Sequence, residues 1–271
     1  MVDHVVKVAS KGYGAEQRAR LQHHTYDFPE WYLKEIDEFN KRYRPIRWIP
    51  LDIPMFEIDN EEFLHIWDNE CIPILRTRPD VAEPWSKDEH PLGQHSNYHQ
   101  HQFLGFDFYC STPDQFSQVR GDNLSWTSKF VQHPIFDKII EQIFDTFPYQ
   151  HIDHMYIWES VRDVYPHRDA HYYWDMPTEL RIMLTNDNDK PTLYVADVDY
   201  GDINFIELGG LDTNTFCWSN GSQLHGSDFH GKRKHLICTN GLYSISKYRD
   251  LMERSIKKYK DKLNYELKID V

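Results

Sequence analysis

From residue 151 onward the chain is a succession of short apolar or alternating runs. They read MYIWESV (155–161), LRIMLT (180–185), TLYVAD (192–197), INFIEL (203–208), NTFCWS (214–219) and HLICTNGLY (235–243), each set off by Asp, Asn, Gly or Pro. Closely spaced short strands bounded by turn residues predict an antiparallel sandwich or a small barrel.

The flanks have a different period. Residues 29–43 predict a helix, with Pro29 at its first position and Leu33, Ile36 and Phe39 at helical spacing. A second short helix is expected from Asn60, read as its N-cap, through EEFLHIWDNE. Residues 72–101 are rich in Pro, His and polar side chains and predict a long loop, and FLGFDFYC (103–110) predicts a strand. Residues 128–147 place Phe136, Ile139, Ile140, Ile143 and Phe147 on one helical side. The last helix, about 246–263, carries Tyr248, Leu251, Met252, Ile256 and Tyr259 on one stripe. No linker divides the chain. The expectation is therefore one domain over 1–271, with a helical and loop part at 1–150 that includes an early strand. A β core at 151–243 and a C-terminal helix at 244–271 complete it. The fold class is mostly β with flanking helices.

The formal net charge of −13 argues against a nucleic-acid backbone as partner, because such binders present a basic surface. No apolar run reaches ~18 residues, so no membrane span is expected. The start, MVDHVVKVASKG, lacks the apolar stretch of a secretory signal. Cys71, Cys110, Cys217 and Cys238 form no CxxC pair and predict free, buried thiols in a cytoplasmic protein. A nucleophilic Cys–His pair involving Cys217 or Cys238 stays open at this point, although thiols in apolar strands are ordinarily inert.

The chain holds 16 histidines, so a metal site needs spacing as well as abundance. The segment VYPHRDA (164–170) offers it. His167 and Asp169 are two apart, so in extended backbone their side chains point the same way, and Pro166 biases Tyr165 toward that backbone. A facial ferrous site takes two imidazoles and one carboxylate and leaves the opposite side open for dioxygen and substrate. His225 is the expected third ligand: 55 residues lie between it and Asp169, enough to bring a distant strand alongside. His151-Ile-Asp153 is a competing pair that precedes a strand, and His99-Gln-His101 lacks a nearby carboxylate. Beyond His225 comes a cationic stretch, GKRKHLICTNG (231–241). An enzyme that uses 2-oxoglutarate needs a cation for the outer carboxylate, and an Arg gives a bidentate, charge-assisted pair. Arg233 is the first candidate, with Lys234 and His235 beside it and Arg181, at the head of LRIMLT, as competitor.

On these residues the chain resembles the Fe(II)/2-oxoglutarate-dependent dioxygenases. The matching elements are PHRD with His167 and Asp169, LHG with His225, and RKHLICTNG with Arg233, over about 150–243. The run YPHRDAHYYWDMPTELRIMLT is most similar to the aspartyl/asparaginyl β-hydroxylase and proline hydroxylase branch. The resemblance implies a double-stranded β-helix, or jelly-roll, core. It also implies Fe(II), O2 and 2-oxoglutarate as co-substrate, with an amino acid, peptidyl side chain or small metabolite hydroxylated. The stretch between His167 and Arg181 is longer than in that branch and aromatic; Tyr172, Tyr173 and Trp174 are candidates to line a substrate pocket. The alternatives are a metal-binding cupin-like enzyme that does not use 2-oxoglutarate and a non-catalytic jelly-roll binding protein.

Overall fold

The computed structural model describes residues 30–71, 103–111, 132–160, 164–167, 179–184, 194–196, 203–218, 224–227 and 234–269. In chain order the elements are α1 (Glu30–Tyr43), β1 (Trp48–Pro50), α2 (Asn60–Ile66), a π-helical turn (Trp67–Cys71) and β2 (Phe103–Cys110). Then come α3 (Asp137–Thr146), β3 (Tyr149–Ser160), β4 (Val164–His167), β5 (Glu179–Met183), β6 (Tyr194–Ala196) and β7 (Ile203–Phe205). The chain continues through β8 (Thr215–Trp218), β9 (Leu224–Ser227), β10 (Lys234–Tyr243) and α4 (Ile245–Tyr259).

The strands form two antiparallel sheets, ordered β1-β8-β5-β10-β3-β2 and β4-β9-β6-β7. The last eight pair in a nested fashion, β3 with β10, β4 with β9, β5 with β8 and β6 with β7. The mostly-β class is as expected. The early strand β2 extends the larger sheet at β3, and β1 extends its other edge at β8.

Strand alternation gives the larger sheet two different faces. Its outer face carries Ile157, Ile182, Cys217 and Ile237, which join one core with Tyr32, Ile36 and Phe39 of α1 and Tyr248, Leu251 and Met252 of α4. Its inner face carries Tyr156, Trp158, Met183, Phe216, Trp218, Leu236 and Cys238, with Ile206 and Leu208 packed against them. The Trp218 ring meets the ring of His225, on the smaller sheet, at 5.7 Å between centroids.

Several local expectations shift by a residue. In α1, Leu33 is exposed, and Tyr32 takes the buried position with Ile36, Phe39 and Tyr43, its hydroxyl donating to the Tyr243 carbonyl at 2.9 Å. Asp59, not Asn60, caps α2: its carboxylate accepts from the Glu61 and Glu62 amides, and extended backbone at Asp59 frees the side chain to do so. The stripe on α4 is buried as expected. The expected loop at 72–101, and the start of the helix expected from 128, lie outside the described residues. Among the described residues no helix is long and apolar enough to cross a membrane.

The surface of α4 carries a charge clamp. Asp52 takes Arg254 and Lys258 at 2.7 Å each, Lys258 reaches Asp212 at 2.8 Å, and the Tyr259 hydroxyl donates to Asp212 at 2.7 Å. The Lys258 and Tyr259 donors hold the Asp212 carboxyl below its ordinary value, at about 2. A carboxylate whose folded value is depressed stabilises the fold above its unfolded value, and that gain is lost as pH falls through the folded one. Asp212→Asn is therefore expected to melt slightly below the wild type at neutral pH and low salt. The gap should close as pH drops from about 4 to about 2. Because Asp212 is largely exposed, added salt should shrink the gap. Melting curves across pH check this, and a gap that widens in acid would exclude the clamp.

Candidate functional site

Two of the three expected metal ligands lie on described strands. His167 is the last residue of β4 and His225 sits within β9. The two strands are antiparallel neighbours, and the register sets the Cα of His167 directly opposite that of His225. Directly opposed residues occupy one face of a sheet, with Cβ atoms about 4.5–5.5 Å apart. Two imidazole-bearing positions far apart in the chain thus become nearest neighbours across a ladder.

His225 is buried and tilted against Trp218. Trp218 ends β8 and stacks on Phe216, two residues earlier on the same face, at 5.5 Å. Arg181 lies beside Phe216 across the β5–β8 ladder and beside Cys238 across β5–β10. Its guanidinium stands 5.0 Å from the centre of the Trp218 ring, and Nη1 donates to the Leu180 carbonyl at 3.3 Å. Only 6% of this cation is exposed. A buried guanidinium on an aromatic face is attracted by the ring quadrupole, and it remains a concentrated positive charge in a low-dielectric space. Further along the same row, Cys238 pairs with Tyr156 and Tyr156 with Asp107, so Arg181 on β5, Tyr156 on β3 and the buried Asp107 on β2 fall in one cross-strand row through Cys238 on β10. Trp158 closes the neighbouring row, its indole donating to the Cys238 sulfur at 3.1 Å.

His235 takes the other side of β10. It is fully buried on the outer face, edge-on to Phe63 and Trp67, and its Nε2 lies 3.7 Å from Glu159. Glu159 accepts a 2.6 Å bond from Trp67. The reason is parity: Leu236 and Cys238 face the smaller sheet, so His235 between Lys234 and Leu236 must face the helices. The structure does not bring His235 to His225. Arg181, the competitor to Arg233 in the sequence, lies against the same Trp218 ring as His225.

The competing pair separates likewise. His151 is exposed and lies on β3 of the larger sheet, in register with Leu242, whereas His167 and His225 share the smaller one. Asp169, Arg233, Tyr172, Tyr173, Trp174, His99 and His101 lie outside the described residues. Among the described residues no group of three metal-ligating side chains occurs.

All four thiols are free and buried. Burial pushes the Cys71 and Cys217 thiols up to about 12, so neither is an anion at neutral pH. Cys217 faces the helical core, and Cys238 accepts from Trp158.

Sequence inspection missed Trp218, Tyr156 and Asp107 as parts of this wall. The available signal was strand parity: Trp218 shares a face with Phe216 in TFCW, and Arg181 with Met183 in ELRIM. It becomes informative only once the strands are in register. No protein-family model and no curated protein matches the chain.

Proposed function

We propose that the chain is an Fe(II)- and 2-oxoglutarate-dependent oxygenase that hydroxylates an amino acid, a peptidyl side chain or another small metabolite. Succinate and CO2 are the co-products. The observation that carries this reading is the register of His167 opposite His225. The nested pairing of eight strands supports a jelly-roll core, since such a roll is one long hairpin wound on itself.

The donor chemistry fits the metal. His167 and His225 supply two imidazoles and Asp169, two residues beyond His167, supplies the carboxylate of a facial ferrous set. Iron, when bound, supplies dioxygen activation coupled to oxidative decarboxylation of 2-oxoglutarate. The protein's own residues do the rest. Arg181 offers a buried cation to a carboxylate, and Phe216, Trp218 and Trp158 keep water from that side. Arg233, the first candidate in the sequence, is proposed alongside Arg181 for the outer carboxylate, and Tyr172, Tyr173 and Trp174 are proposed to contact the substrate. The four free thiols agree with a reducing compartment such as the cytoplasm. A 2-oxoglutarate-independent enzyme of the same core would not need a buried cation beside the metal.

The direct test follows iron-dependent conversion of 2-oxoglutarate to succinate. Slow uncoupled turnover is expected for the wild type and none for His167→Ala. Equal succinate from both proteins would end the proposal.

A further inference from the structure

Five of the eight tryptophans belong to the described residues, and four of these five are buried: Trp48, Trp67, Trp158 and Trp218. Buried indoles almost always find an acceptor. Trp48 donates to Asn264 Oδ1 at 3.2 Å, Trp67 to Glu159 at 2.6 Å and Trp158 to Cys238 Sγ at 3.1 Å. Trp218 Nε1 is the exception: it is buried and has no hydrogen-bond partner. Its residue is 5% exposed, and its ring lies 5.0 Å from the Arg181 guanidinium and 5.7 Å from the His225 ring. A buried donor with no acceptor costs the fold its full desolvation, so its persistence calls for a reason.

We propose that Trp218 Nε1 donates a hydrogen bond to a carboxylate oxygen of the ligand held beside His225, with Arg181 supplying the countercharge. The location rests on the proposed metal site at His225. The chemistry comes from the pair: a neutral N–H donor and a buried guanidinium within 5.0 Å of the same ring select an oxyanion over a neutral or cationic group. Trp218 is then a binding residue for the carboxylate, which belongs either to 2-oxoglutarate or to an amino-acid substrate.

Trp218→Phe removes the donor and keeps an aromatic ring. Trp48→Phe, on the neighbouring strand, removes the same ring volume and also strands Asn264 Oδ1. The full chain is loaded with ferrous ion under argon, so that nothing turns over. It is then titrated with 2-oxoglutarate and with the free α-amino acids, by calorimetry and tryptophan fluorescence, alongside ligand-free melting curves. Trp218→Phe is expected to weaken binding of one probe class about tenfold, the weight of one hydrogen bond to an ionised acceptor. It should also melt above Trp48→Phe. Weakened 2-oxoglutarate binding identifies the co-substrate as the source of the carboxylate, and weakened amino-acid binding identifies the substrate.

The inference is overturned if Trp218→Phe binds every probe as the wild type does, or if the wild type binds none. It is equally overturned if Trp218→Phe melts as low as Trp48→Phe with affinities intact, since the role is then structural. The oxygenase proposal fails separately. Absent iron-dependent turnover, with a binding loss in Trp218→Phe, removes the oxygenase and keeps the carboxylate contact. Normal turnover with unchanged affinities does the reverse.

Discussion

His225→Ala is expected to abolish iron binding and succinate formation together, while His235→Ala leaves both in place and costs stability instead. The two histidines are ten residues apart and both are buried. They differ in the face they serve. His225 is opposite His167 in the smaller sheet, so its loss takes away one of the proposed metal ligands. Losing a group that merely orients a metal ligand already costs about 10–100-fold in affinity, so losing the ligand should cost roughly a thousandfold or more. His235 packs between Phe63 and Trp67 and faces Glu159. Its truncation opens a cavity beneath α2 and removes a neighbour from a buried carboxylate, for a cost of roughly 3 kcal/mol. Iron content after anaerobic loading and denaturant midpoints, measured on both variants, separate the two roles. Metal lost from His235→Ala and retained by His225→Ala would reverse the assignment of faces.

The second large effect is expected at Gly241. The ladder between β10 and β3 shifts register between Asn240 and Gly241, where β10 passes against the His151–Ile152 backbone. A Cβ at Gly241 would be driven into the His151 carbonyl oxygen and would stand 2.8 Å from Ile152 Cα and 3.0 Å from the His151 carbonyl carbon. All three are main-chain atoms, so no side-chain rotation relieves the clash and the two strands must part. Gly241→Ala is expected to cost roughly 3 kcal/mol or more, a large share of the about 5–15 kcal/mol that holds a typical domain. Gly210→Ala is the control. Gly210 has φ +76° and open space around a built Cβ, so alanine pays only for left-handed backbone, about 1–2 kcal/mol. Denaturant unfolding of the two variants compares a steric cost with a conformational one. A Gly241→Ala protein as stable as the wild type would show that β10 and β3 do not approach so closely.

Both predictions concern positions whose meaning depends on which strands are neighbours. That is also the limit of what residue patterns convey. The strands β2, β3, β5, β8 and β10 were legible because apolar runs closed by turn residues have one common fate, burial in a sheet. The α4 stripe was legible for the same reason at helical period. β4 and β9 were harder: VYPH and LHGS carry little apolar content, and their strand state comes from pairing with each other and not from their own propensity. β1, three residues long, is a strand because Trp48, Ile49 and Pro50 find β8 beside them.

What the amino-acid order determined by itself is local: period, turn positions and the two-residue His-x-Asp spacing of His167 and Asp169. Those features act over a few bonds, where steric and hydrogen-bonding preferences need no distant partner. The tertiary structure alone decided that His225 lies opposite His167, that Arg181 rather than His235 shares its space, and that one buried indole was left without an acceptor. Each follows from register, and register is chosen by the whole sheet at once. A slip of one residue in β10 would exchange His235 for Leu236 and move an apolar row out of the core, so the packed faces select the single register that no local run can specify.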